Sequence, residues 1–174
     1  MIDVKLYESG NGGDILLNGN DLAKANTFDN MPYLAMFGGN VGFSTPTKRV
    51  NNEQNFDFWA NDLLFGENKE MQFNSKTEFV LTSASLNSRG RQLIQEAVKT
   101  DLQFMVPFAN IDVVVDILGQ EKLSIGISLI QPENQTEKKF MYIWDGVSLI
   151  DEELIYVGKP NEVIGLDEPL EFEI

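Results

Sequence analysis

Between Ser85 and Met105 the apolar positions Leu86, Leu93, Ile94, Ala97, Val98, Leu102 and Met105 recur at helical spacing. Arg89, Gln92, Gln95, Glu96 and Lys99 fill the opposite face. This pattern predicts the principal helix of the chain, stopped by Pro107. The stretches IDVVVDIL and KLSIGISLI follow, separated by GQE, and their β-branched content with so short a connection predicts a hairpin. Leu93, Ala97 and Val98 are expected to face that hairpin.

The N-terminal pattern is of shorter period. DVKLY alternates polar and apolar residues and predicts one strand. ESGNGGDILLNGND then places two clusters of glycine, asparagine and acid around a short apolar run. Both clusters are expected as reversals between strands, at Gly12 to Asp14 and at Asn18 to Asn20, because these residue types tolerate positive φ. A short helix is expected after Asn30, with Pro32 in its first turn, Leu34 and Phe37 toward the core, and Gly38-Gly39 at its end. Residues 38–55 read as an exposed polar loop, and FDFWANDLLFGEN as a packed aromatic unit.

From Gln131 the pattern changes to short apolar patches (FMYIW, LIYV, LEFEI) set among acidic residues. This tail holds eleven acidic residues against three lysines, so about −8 of the net charge of −14 lies in the last quarter of the chain. It has strand propensity but no continuous apolar surface of its own, so it is expected to finish folding against another surface. For its last piece a neighbouring protein is the favoured surface. Leu170, Phe172 and Ile174 alternate with Glu171 and Glu173, as strand addition requires.

Composition narrows the chemistry. The 174 residues suit one domain, and 43% hydrophobic content places the chain outside the disordered class. No apolar run is long enough for a spanning helix, and MIDVKLYESG lacks the features of a signal peptide, so synthesis and assembly in the cytoplasm are expected. The chain has no cysteine and no histidine. Disulfides, thiolate metal sites, Ser-His triads and imidazole proton shuttles are therefore excluded. The acidic balance argues against nucleic acid, whose phosphates select Lys and Arg.

Three site readings remain. The opening cluster is similar to one unit of a glycine-aspartate calcium repeat, but such repeats act in stacked copies and only this pair is present. Neither GxxxxGK[ST] nor GxGxxG occurs, so no phosphate cradle is expected. Asp57 with Asp62, or Asp14 with Asp21, supply the residue types of a two-carboxylate glycosidase, although solvated surface is the ordinary place for such residues. Trp59 and Trp144 are read as core, with a sugar or peptide groove as the alternative.

The order of these features resembles a phage family. GGDILLNGNDLA, the Leu-x-x-Phe helix YLAMFGG, a polar loop, FWAND, and a long helix leading into a hairpin that ends ISLIQP are together similar to the small inner-wedge baseplate proteins of contractile phage tails. The Mu-like branch, related to the sheath-initiator wedge family, is the nearest in pattern. The resemblance covers roughly residues 1 to 132. It maps Gly13, Asp14, Gly19 and Asp21 onto the family's turn pair, Leu34 and Phe37 onto its short helix, and Trp59 with Asp62 onto its tryptophan-aspartate unit. The sequence departs from the family where Phe58 replaces one of two tryptophans, and where only Lys48 and Arg49 remain of a basic loop.

The expected fold is therefore α+β: a small mixed or antiparallel sheet packed on one long helix, with an acidic, β-rich C-terminal extension. Residues 1–132 are expected as the wedge-like domain and 133–174 as the extension, with Leu170, Phe172 and Ile174 as its partner-docking residues. The resemblance implies a non-catalytic structural subunit of the virion tail baseplate that helps initiate sheath assembly. Its partners would be other wedge proteins and the tail sheath or tube proteins. No cofactor, metal, nucleic acid, membrane or small-molecule partner is expected. A carboxylate-based cell-wall glycosidase and another tail-completion or adaptor protein are the alternatives.

Overall fold

A computed structural model describes residues 2–8, 13–39, 66, 68, 71–72, 74–133, 135–146 and 149–158. The fold is α+β. Its centre is a four-stranded antiparallel sheet of β7 (Asn110–Ile117), β8 (Leu123–Gln131), β9 (Thr136–Trp144) and β10 (Leu149–Gly158), in the order β10-β9-β8-β7. Among the described residues three helices, α1 (Thr27–Phe37), α2 (Thr77–Ser83) and α3 (Ser88–Asp101), pack against this sheet to form the core.

The predicted hairpin is β7-β8, whose register pairs Val113 with Ile127 and Val115 with Ile125. Along β8 the residues alternate between buried and half-buried, the period-2 signature of a sheet covered on one face. Ile127 lies opposite Phe140 and Ile125 opposite Tyr142, so the covered face continues across three strands. Tyr33, Met36, Phe37, Leu81, Ile94, Val98, Leu102 and Met105 close it from the helical side. Burying each such side chain contributes about 1.5 to 3 kcal/mol, which makes this layer the main source of stability.

The single long helix of the sequence reading is replaced by shorter elements. α3 spans 14 residues and starts at Ser88, where the Asn87 side chain accepts the N–H groups of Arg89 and Gly90, both at 3.0 Å. After Asp101 the chain tightens into a 3-10 turn, Gln103–Met105, which still buries Leu102 and Met105. The buried stripe runs Gly90, Ile94, Ala97, Val98. Leu93, expected to face the sheet, lies about a quarter-turn from the centre of that stripe and is 44% exposed. The reason is Gly90: its lack of a side chain lets the first turn approach the Ser85 carbonyl so closely that a Cβ would sit 1.9 Å from that oxygen. This approach fixes the rotation of the helix.

α1 also differs from expectation. It begins at Thr27, before Asn30, because the Asp29 carboxylate accepts the Asn26 N–H at 2.9 Å and stabilises an earlier start. Pro32 thus lies inside the helix, where it cannot donate to the Phe28 carbonyl. The helix ends at Gly38 and Gly39, the latter at φ 116°. Phe37 is buried and Leu34 half-buried against the core.

The tail does not begin a separate unit at residue 133. β9 is an interior strand that places Phe140, Tyr142 and Trp144 in the core, and β10 pairs with β9 over its length. The extended patches FMYIW and LIYV find their partner surface in the chain's own sheet. Residues 38–39 end α1, whereas most of the predicted loop, the FDFWANDLLFGEN unit apart from Gly66 and Asn68, and LEFEI lie outside the described residues.

Candidate docking surface

The N-terminal strands form a three-way junction. β1 (Ile2–Val4) pairs with β6 (Lys24–Asn26), β2 (Leu6–Glu8) with β3 (Gly13–Ile15), and β4 (Leu17–Asn18) with β5 (Asp21–Leu22). At the centre, the Lys5 N–H donates to the Ala23 carbonyl (2.8 Å), Ala23 to Leu16 (2.9 Å) and Leu16 to Lys5 (2.9 Å), a closed cycle of backbone bonds. DVKLY is therefore two strands broken at Lys5. Asn30 secures the break: its side chain accepts the Leu6 N–H at 3.2 Å and donates to the Val4 carbonyl at 2.6 Å.

The junction assigns the residues of the opening cluster. Gly13 and Asp14, expected in a turn, lie in β3 opposite Glu8 and Tyr7, because strand pairing extends further toward the reversal than residue types suggest. Gly19 occupies the expected turn at φ 65°, and Asp21 lies just beyond it, exposed, with its carboxylate accepting the Leu22 N–H at 2.8 Å. Asp21 is committed to a local bond. Among the described residues no group of three or more acidic side chains is placed to hold a metal ion. Leu34 and Phe37 belong to the core, and Trp59, Asp62, Leu170, Phe172 and Ile174 lie outside the described residues.

One carboxylate missed by sequence reasoning is Asp101, the last residue of α3. It lines an open cleft with Ala35, Gln72, Asn74, Lys76, Thr100 and Phe104. Its oxygens accept the N–H groups of Lys76 (2.9 and 3.0 Å) and Thr77 (2.8 Å) and the Thr77 hydroxyl (2.6 Å). Burial holds its pKa above the ordinary carboxylate range, against the lowering effect of the Thr77, Lys76 and Ser75 hydrogen bonds. The group caps α2 and is occupied in doing so.

The surface best suited to a partner is β7. Among the described residues it pairs with β8 alone and ends the sheet. The Leu118 N–H donates to the Lys122 carbonyl at 2.8 Å, in phase with the β7-β8 register, so the even-numbered residues of β7 exchange hydrogen bonds with β8. By the alternation of antiparallel ladders, the backbone groups of Ile111, Val113, Val115 and Ile117 point away from the sheet. The Gln95 side chain reaches one of them, its amide donating to the Val113 carbonyl at 2.8 Å.

Exposed apolar residues flank this edge. Phe104, Val106 and Phe108 precede it, Val114 lies on it, and Ile117 and Leu118 close it, with Phe108 63% and Val114 49% exposed. A second exposed group, Ile15, Leu16, Leu17 and Leu22, lies on the N-terminal arms. The β-branched run of β7 was legible in the sequence; its position at the edge depends on strand order. Comparison with known protein families, curated proteins and solved structures finds no match for this chain.

Proposed function

We propose that this protein is a non-enzymatic structural subunit that joins an assembly by strand addition, and that the assembly is the inner wedge of a contractile phage tail baseplate. In that setting it binds neighbouring wedge proteins and offers a surface on which tail sheath or tube proteins begin to assemble. The observation that carries the docking role is the outward edge of β7, a full-length strand with backbone groups turned away from the sheet and exposed apolar residues at both ends. Edges of this kind are liabilities unless covered, and strand addition covers them with main-chain hydrogen bonds that need neither histidine, cysteine nor metal. The baseplate setting rests on the sequence resemblance over residues 1–132, and the α+β architecture is consistent with it.

Electron microscopy and mass spectrometry of assembled particles test the proposal. The expected result is density for this chain in the inner baseplate, with a strand of another protein beside β7. Assembled tails that lack the chain, or that leave β7 bare, would overturn it.

A further inference from the structure

Strand addition by itself does not say what strand is added. Side chains on β7 do. Asp112, Val114 and Asp116 alternate with the buried Val113 and Val115, so they share the face of the sheet turned away from the helices. All three are exposed. A strand laid beside β7 would bring its own side chains on that face next to these three, at the short lateral spacing where cross-strand pairs interact. Opposite charges beside Asp112 and Asp116, and an apolar group beside Val114, give favourable pairs; acids there would repel. The chain's net charge of −14 adds to the same preference from a distance.

The second observation is Gln95. Its amide N–H lies on the Val113 carbonyl, one of the groups that an incoming backbone N–H would use. A side-chain amide there does the work of a peptide N–H, keeping the edge satisfied while no strand is present. Gln95 belongs to the polar face of α3 and swings away at little cost, since its site is partly exposed.

From these observations, and resting on the strand-addition reading above, we propose that β7 selects an extended partner segment with the pattern basic-x-apolar-x-basic. Its two cations pair with Asp112 and Asp116, its central apolar side chain covers Val114, and its backbone displaces Gln95 from the Val113 carbonyl. The neighbouring half-exposed residues of β8 on that face are Ser124, Gly126 and Ser128, small enough to leave the row clear.

Nine-residue peptides test the assignment on the intact chain. One carries Lys-Thr-Val-Thr-Lys at its centre, a second Glu-Thr-Val-Thr-Glu, and a third is the lysine peptide with alternate backbone nitrogens methylated. Binding is followed by fluorescence anisotropy, and the site by amide chemical shifts of β7. The lysine peptide is expected to bind with shifts at Ile111, Val113, Val115 and Ile117, about tenfold more tightly than the glutamate peptide at low salt. The double substitution Asp112→Lys with Asp116→Lys should reverse the order, and Gln95→Ala should tighten binding a few-fold. Equal binding of the two peptides at β7 overturns the charge selection and leaves strand addition standing. Undiminished binding of the methylated peptide, or shifts confined to other strands, overturns strand addition itself. Absence of binding by every peptide at millimolar concentration overturns both.

Discussion

Lys138, on the interior strand β9, forms a buried ion pair with Asp29 in the first turn of α1, joining residues 109 positions apart in the chain. Asp29 also accepts the Asn26 N–H, so the same carboxylate starts the helix and ties it to the sheet. Lys138 occupies a position on the covered face of β9, two residues before the buried Phe140. The pair thus fixes α1 over one end of the sheet.

Removing one partner leaves the other charge buried. Lys138→Met is expected to cost about 3 to 5 kcal/mol, whereas the double substitution Lys138→Met with Asp29→Asn should recover much of that loss. Chemical denaturation of the two variants against the parent gives the comparison. Equal losses in both would show that the charge pairing is not what holds α1.

The rotation of α3 yields a contrast between adjacent residues. Ile94→Ala, at a fully buried site, should destabilise the chain by about 2 to 5 kcal/mol. Leu93→Ala should remain within about 0.5 kcal/mol, because the side chain is substantially exposed and alanine is a good helix former. The urea midpoints of the two variants decide it; a larger effect at Leu93 would contradict the observed helical face.

Gly90→Ala would ordinarily favour a helix by about 1 kcal/mol. Here the added methyl meets the Ser85 backbone carbonyl, and a backbone atom gives way only if the 84–85 segment moves. The expected result is a net loss of about 1 to 3 kcal/mol in thermal or chemical unfolding. A more stable variant would show that the helix can slide without penalty.

Asp101 makes stability depend on pH in an unusual direction for a carboxylate. Its folded pKa is raised by burial, so the folded chain binds the proton more readily than the unfolded chain in the window above about pH 4. Its contribution is therefore fully present below the unfolded pKa and is lost as pH rises through the folded value. Asp101→Asn should remove this component, visible as a difference between the two stability curves over that window. Asp101→Ala should cost more than the asparagine variant at every pH, because the N–H groups of Lys76 and Thr77 would lose their acceptor.

Several elements were legible in residue order alone. The β-branched runs of residues 111–130 and the short connection between them identified β7 and β8, and helical spacing identified Ala97 and Val98 as buried residues of α3. Asn18-Gly19 marked its turn because positive φ is a property of the residues themselves. These features arise from contacts within a few positions of the chain.

Other features depend on partners far away in sequence. Lys5 breaks a strand because its backbone groups bond to Leu16 and Ala23. Asp101 and Asn30 acquire their roles from segments some 25 positions away. The patches FMYIW and LIYV announced strands, but only the sheet order shows that they join the sheet of β7 and β8 and that β7 forms one of its edges. Period and propensity are written locally, so the sequence by itself determined that the segments of β7, β8 and α3 are strand and helix. Strand order and the use of a buried polar group are set by packing between distant segments, and those the tertiary structure alone decided.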